Sequence, residues 1–210
     1  MNESNLHHYQ KQAVAFILER PYSALMIEMG LGKTITTLTA IDILMYETLD
    51  VNKVLVIAPK RVAENVWTSE LKEWSHLGRL KVSRIIGNPM QRKAALAAKA
   101  DIYIVSRDNI AWLCGQYGGG MLPFDMCVID ESSSFKSHDS LRFKALSSCS
   151  RALTGLYFSR VHPHRKALLT FGRRYGYWTG VRDWVKPSLR TEITSSNLTN
   201  AMVQSFTVTA

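Results

Sequence analysis

An apolar run, Ala24-Leu25-Met26-Ile27, leads through Met29-Gly30-Leu31-Gly32-Lys33-Thr34 into a segment with helical patterning, residues 35–47. No other stretch constrains the fold as strongly. Glycines at 30 and 32 let the backbone take left-handed angles that a side chain resists. A glycine turn that leaves a strand and starts a helix points several unpaired backbone N–H groups one way, and the helix dipole adds its positive end. Such a cradle holds phosphate oxygens. Lys33 can then reach terminal phosphates, and the Thr34 hydroxyl can bind an accompanying metal. Gly30, Leu31, Gly32, Lys33 and Thr34, with Met29 opening the turn, are therefore the candidate nucleotide-binding residues. The general pattern also has a glycine five residues before the second loop glycine, where this chain has Ile27. The alternative is an ordinary strand-to-helix turn with an exposed lysine.

A chain of 210 residues buries one substantial core, or one domain and an appendage. No apolar run is long enough for a bilayer, and the first residues, Met1-Asn2-Glu3-Ser4-Asn5, are polar rather than leader-like. Cys114, Cys127 and Cys149 are odd in number and lack paired metal-ligand spacing, so they read as reduced thiols, with Cys127 inside a buried strand. The expectation is a cytoplasmic protein with no membrane partner. The net charge of +9 is unevenly spread: residues 157–210 hold eight Lys/Arg against two Asp/Glu, and residues 1–156 hold eighteen against fifteen. The larger part is only mildly basic, which makes bulk charge weak evidence for nucleic acid.

Helical spacing over residues 6–19 places Tyr9, Ala13, Phe16 and Ile17 on one face. Val54-Leu55-Val56-Ile57-Ala58, ended by Pro59, reads as a central parallel strand. A helix follows over 62–74, then a strand over 81–86, a helix over 90–98, a strand over 102–105 and a short apolar strand over 126–129. Alternation of this kind implies an α/β layer with a mostly parallel sheet. Ligands gather at the carboxyl ends of such strands, where the glycine loop, Pro59-Lys60, Ser106-Arg107 and Asp130-Glu131 all fall.

Asp130 and Glu131 directly follow the last of these strands. Acids at that position can be no more than a solvated strand exit. Together with the glycine loop they permit a more specific reading. A carboxylate facing Lys33 and Thr34 can hold hydrated magnesium, and its neighbour can activate water for attack on a γ-phosphate.

At this point the chain resembles a known family. Met29-Gly30-Leu31-Gly32-Lys33-Thr34 is similar to motif I of SWI/SNF-like ATPases of helicase superfamily two, particularly the phage and prophage type, in which the first-position glycine is commonly absent. Asp130-Glu131-Ser132-Ser133-Ser134-Phe135-Lys136 resembles motif II. Leu6-His7-His8-Tyr9-Gln10 resembles the segment before motif I in which a glutamine reads adenine. Ile57-Ala58-Pro59-Lys60 followed by Trp67 is similar to motif Ia, and Ile104-Val105-Ser106-Arg107 to motif Ib. The resemblance spans residues 5–155 and implies the first RecA-like, phosphate-loop lobe of a two-lobe motor, an α/β fold with helices flanking a mostly parallel sheet. It implies ATP and Mg2+ as cofactors, Thr34 and Asp130 as metal ligands, Glu131, Lys33 and Asp130 as catalytic residues, and Gln10 as the adenine contact. DNA is the implied partner, its backbone met by Lys60, Arg61, Ser106 and Arg107, though each of these can equally be a solvated loop residue. Trp67 and Trp74, seven apart, read instead as packing one helix face.

Leu153-Thr154-Gly155 begins like motif III, whose Thr154 and Gly155 would couple hydrolysis to DNA, but Leu156-Tyr157 departs from the pattern. Residues 157–210 are rich in Arg, Trp, Thr and Ser with weak periodicity, so a poorly structured, non-homologous tail is expected there after a domain over 1–156. Translation out of frame explains the change. Leu169-Thr170-Phe171-Gly172-Arg173-Arg174 can be encoded TTG ACC TTT GGG CGC AGA, which read from its third base gives Asp-Leu-Trp-Ala-Gln. In the same offset, residues 177–184 permit Leu-Asp-Gly-Gly-Glu-Arg-Leu, strings that resemble what phage-type members carry after motif III. The alternative is a genuine divergent C-terminal domain. Three functional readings stay open: the ATP-binding lobe of a DNA-dependent ATPase, a catalytically incomplete nucleotide- or DNA-binding module whose second lobe comes from a separate polypeptide, and an unrelated phosphate-loop kinase, against which Asp130-Glu131 and the Gln10 segment argue.

Overall fold

The computed structural model of the chain describes residues 1–20, 22–28, 30–118, 121–130, 146, 155–158, 168–171, 178–181 and 204–208. Helix α1 (His8–Leu18) precedes strand β1 (Tyr22–Ile27), which the glycine loop joins to α2 (Lys33–Tyr46). Strand β2 (Val54–Ala58) leads into a helical segment whose first part, Val62–Val66, is π-helical and whose remainder is α3 (Trp67–Glu73). Then come β3 (Val82–Ile85), α4 (Pro89–Ala97), β4 (Ile102–Ser106), α5 (Ile110–Gln116) and β5 (Met126–Ile129). Four further strands follow: β6 (Gly155–Phe158), β7 (Leu168–Phe171), β8 (Trp178–Val181) and β9 (Gln204–Val208).

Seven strands form one sheet in the order β3-β4-β2-β5-β6-β1-β9, and every pairing in it is parallel. β7 and β8 pair separately and antiparallel. Side-chain alternation explains why β2 is apolar throughout. Val54, Val56 and Ala58 enter a core shared with α1, α2 and α3, while Leu55 and Ile57 enter a second core with Tyr103, Leu113 and Cys127. A strand covered on both faces has no polar side to show. Trp67 and Trp74 both pack into the first core, as their spacing implied. This is the RecA-like α/β lobe that the motifs implied.

Two aspartates hold the opposite, amino-terminal edge of the sheet. Asp125 Oδ2 accepts the backbone N–H groups of Asn52 and Lys53 at 2.9 and 3.0 Å. Asp101 Oδ2 accepts those of Lys81 at 2.7 Å and the Tyr46 hydroxyl at 3.0 Å. Each carboxylate sits just before one strand and holds the chain that enters its neighbour, which pins the register of β2 against β5 and of β3 against β4. Among the described residues no helix is long and apolar enough to cross a membrane.

The tail expectation meets the structure at four strands. β6 runs across the expected boundary after residue 156, and β9 lies beside β1 at the sheet edge. The rest of 157–210 lies outside the described residues.

Candidate functional site

The glycine loop leaves β1 after Ile27 and turns through Gly30 at φ +82° and Gly32 at φ +69°. Both angles belong to the left-handed region that favours glycine. Gly32 is also the N-cap of α2, and no side chain caps that end. The N–H groups of the first turn therefore have no partner within the helix and face the loop, while the Thr36 N–H already bonds the Gly32 carbonyl at 3.1 Å. A Cβ on Gly32 would collide with the Gln10 amide nitrogen, whereas one on Gly30 would meet nothing within 4 Å.

Lys33 opens α2 and turns back under the loop, where its ammonium donates to the carbonyls of Ile27 and Glu28, both at 2.6 Å. Thr34, one residue on, is half-buried in the first turn. Thr36 and Thr37 bond their hydroxyls to the Gly32 and Lys33 carbonyls at 2.9 Å each, so both threonine side chains are satisfied within the first turns of the helix.

Gln10 is 5% exposed and holds the loop from the α1 side. Its Oε1 accepts the His7 N–H at 2.8 Å, and its Nε2 donates to the Leu31 carbonyl at 3.4 Å. The Tyr9 hydroxyl donates to the same carbonyl at 3.2 Å. The structure thus places Gln10 against the loop, and it reveals Tyr9, which sequence reasoning assigned only to the helix face. Helical spacing predicted a buried side chain at residue 9, and no spacing rule tells that its hydroxyl meets a loop carbonyl.

Asp130 follows β5, and its N–H donates to the Ile57 carbonyl at 2.8 Å, which extends the β5 ladder by one residue. Register places it. Ile129 pairs with Phe158 and Phe158 with Ala24, so Asp130 stands level with Leu25, two residues before β1 ends at Ile27 and two strands away. At about 4.8 Å per strand that is about 10 Å between backbones, a gap that the side chains of Lys33, Thr34 and Asp130 can close around a polyphosphate and a divalent cation. The donor set suits that ligand: an ammonium, a hydroxyl, a carboxylate and the N–H groups that open α2. Met29, Glu131, the motif II residues 132–136 and Thr154 lie outside the described residues. Gly155 does not join this edge. It starts β6 in register with Met126, about 13 Å along the strand direction from Asp130, because a parallel strand that begins there faces the amino-terminal edge.

The remaining candidates fall on the β2–β4 part of the same edge, next to β5 and three and four strands from β1. Ala58 and Ser106 are register partners, so the turns that follow them are neighbours. Lys60 and Arg61 are exposed and Arg107 is half-buried, while Ser106 is buried. Behind Lys60 and Arg61 the π-helical stretch is held by Arg84, which donates to the Glu64 carbonyl at 2.7 Å. Arg92 lies over the Trp112 ring at 4.4 Å and donates to Asn109 Oδ1 at 2.9 Å, which braces the turn after β4. Neither arginine has a sequence signal beyond its charge. Cys114 and Cys127 are buried free thiols, and burial pushes the Cys127 thiol up, so it stays protonated and unreactive. Among the described residues no cluster of three His, Cys, Asp or Glu could hold a metal on its own.

Comparison with known proteins follows the same outline. A sequence model described as SNF2-related domain matches residues 9–154. Protein p41 of Acyrthosiphon pisum secondary endosymbiont phage 1 is 38% identical over 130 residues, which cover 61% of this chain and 28% of p41. Helicase SWR1 of Candida glabrata is 31% identical over 150 residues, 67% of this chain and 10% of that protein. The Saccharomyces cerevisiae SWR1 helicase is 30% identical over 151 residues, again 10% of its length. Among solved structures, the Sulfolobus solfataricus SWI2/SNF2 ATPase core in complex with dsDNA superposes with a TM-score of 0.62 at 22% identity, over 76% of this chain and 32% of that one. The chain spans between a tenth and a third of the length of these relatives.

Proposed function

The chain belongs to the family of SNF2-related domains, and from that premise we propose that it is the ATP-binding lobe of a DNA-dependent ATPase. The observation that carries this reading is the shared sheet edge: a left-handed glycine loop capping α2, with Lys33 and Thr34 in its first turn and Asp130 two strands away. Backbone N–H groups of Gly30 and of Gly32 to Thr34 would cradle the phosphates of ATP, and Thr34 and Asp130 would hold its Mg2+. A bound magnesium ion supplies neutralisation of the charge that develops in phosphoryl transfer. Lys33 adds a movable positive charge, released from the Ile27 and Glu28 carbonyls. Glu131 would orient and deprotonate the attacking water, and Gln10 would favour adenine.

DNA is the proposed partner. The S. solfataricus core is bound to dsDNA, and exposed Lys60 and Arg61 with Arg107 would supply phosphate-binding charge on the β2–β4 part of the same sheet edge. The coupling role that the resemblance implies for Thr154 and Gly155 is left out of this proposal, since β6 starts at the far edge. Phosphoryl transfer also needs charge stabilisation across a cleft, which in the family comes from second-lobe arginines. Arg173, Arg174 and Arg182 match no family motif. These residues alone would therefore form a nucleotide-binding lobe with little turnover, which a second lobe would complete.

Titration with ATP and Mg2+, and steady-state hydrolysis with and without DNA, test this. Binding is expected, with affinity lowered about tenfold or more by Lys33→Ala, and turnover near background. Absence of ATP binding sinks the nucleotide reading; brisk DNA-stimulated turnover by the chain alone sinks the incompleteness. Residues from 157 onward are, on this proposal, translated out of frame. Sequencing the gene decides it: an offset frame that encodes no family-like continuation ends the idea.

A further inference from the structure

We infer that Tyr9 is a positioning residue for the phosphate loop, acting through its hydroxyl on the Leu31 carbonyl; this rests on the nucleotide-binding reading of that loop. Tyr9 and Gln10 are adjacent at the start of α1, yet both reach one acceptor in the middle of the loop, at 3.2 and 3.4 Å. A carbonyl oxygen has two lone pairs and can serve both donors. Leu31 lies between the two left-handed glycines, and its carbonyl shares one rigid peptide plane with the Gly32 N–H, so the direction of the carbonyl sets the direction of that N–H. The Gly32 N–H is one of those that a phosphate would meet. A donor fixed on Leu31 therefore fixes the cradle.

The two donors are not equivalent. Gln10 is occupied at both ends, its Oε1 by the His7 N–H at 2.8 Å, and it is packed against Gly32. Any turn of its amide toward a nucleobase would cost its bond to Leu31. Tyr9 carries no second task of that kind. Its ring is stacked on the His7 ring at 5.6 Å with planes 8° apart, which sets its orientation from outside the loop. The loop contact that persists when Gln10 turns away is the Tyr9 hydroxyl.

Tyr9→Phe removes that hydroxyl and keeps the ring and its stack. The full chain is titrated with ATP, GTP and inorganic triphosphate, each with Mg2+, and amide hydrogen exchange of the ligand-free protein is measured over the loop. Affinity for all three is expected to fall by the same factor, about two- to fivefold for one long neutral hydrogen bond, with the ATP-to-GTP ratio and the thermal midpoint unchanged. Exchange at Leu31, whose N–H donates to the Glu28 carbonyl at 3.4 Å, should speed up while the α2 interior keeps its protection. A loss confined to ATP makes Tyr9 a base contact and overturns the inference, as does unchanged affinity for all three with unchanged loop exchange. A wild-type chain that binds none of the three overturns the nucleotide reading instead, and the exchange measurement then still decides whether Tyr9 holds the loop.

Discussion

Gly30 and Gly32 share a backbone conformation, at φ +82° and +69°, and differ in what surrounds them. Alanine at either position pays for a left-handed backbone, about 1–2 kcal/mol. At Gly32 the added methyl also collides with the Gln10 amide, while at Gly30 it meets open space. Gly32→Ala should therefore lower stability by about 1 kcal/mol more than Gly30→Ala, and displacing Gln10 should loosen the loop as well. Urea unfolding of the two variants checks this; equal losses would show that backbone strain alone sets the cost. At this scale the sequence was informative wherever a residue type has few reasons to be present. Two glycines before Lys-Thr were expected to take left-handed angles, and both do. Tyr9 has many possible roles, so its contact with Leu31 became visible only when α1 was folded against the loop.

Strands were easier to read than helices because full burial leaves a local mark. β2 and β5 were expected over the residues they occupy, since each is apolar at every position. α5 was missed: it is seven residues long, with Gly115 near its end, and offers too few turns for periodicity. The π-helical stretch was read as ordinary helix, because a change from i+4 to i+5 bonding leaves no sequence mark. Packing between elements is likewise invisible locally. On the far half of α2, buried Asp42 receives a bidentate pair of bonds from Arg79 at 2.8 and 2.6 Å, and Thr39 meets His76 Nε2 at 3.0 Å. His76 packs edge-on against Trp74, and its Nδ1 is buried without a partner. Desolvation lowers its pKa below the ordinary 6.5, against the opposing pull of Glu3 and Asp42 and with help from the N-terminus and Arg79. The unfolded chain then binds the proton more tightly than the folded one. This contribution is present above pH 6.5 and declines as the pH falls through the interval below it. The urea midpoint should drop between pH 7.5 and 5.5, and His76→Gln, which cannot titrate, should flatten that drop. An unchanged slope in the variant would remove His76 as the cause.

Across the whole molecule, the strand that carries the nucleotide loop depends on sequence outside the family-matched stretch. That stretch ends at residue 154, yet β1 pairs with residues 156–158 on one side and 204–208 on the other. A chain cut after residue 154 should expose both edges of β1, melt at least several degrees lower and aggregate on heating. A cut chain that melts with the full chain's midpoint and cooperativity would show that these pairings add nothing. By itself the sequence determined the strand-loop-helix unit, the buried strands and the acid that ends β5. Each follows from short-range chemistry: glycine angles, burial on two faces, a charge at a strand exit. Only the tertiary structure decided which strands are neighbours, that Asp130 stands two strands from β1 and level with Leu25, and that Gly155 faces the opposite edge. Strand order and register are set by contacts between residues far apart in the chain, and no local pattern encodes those distances.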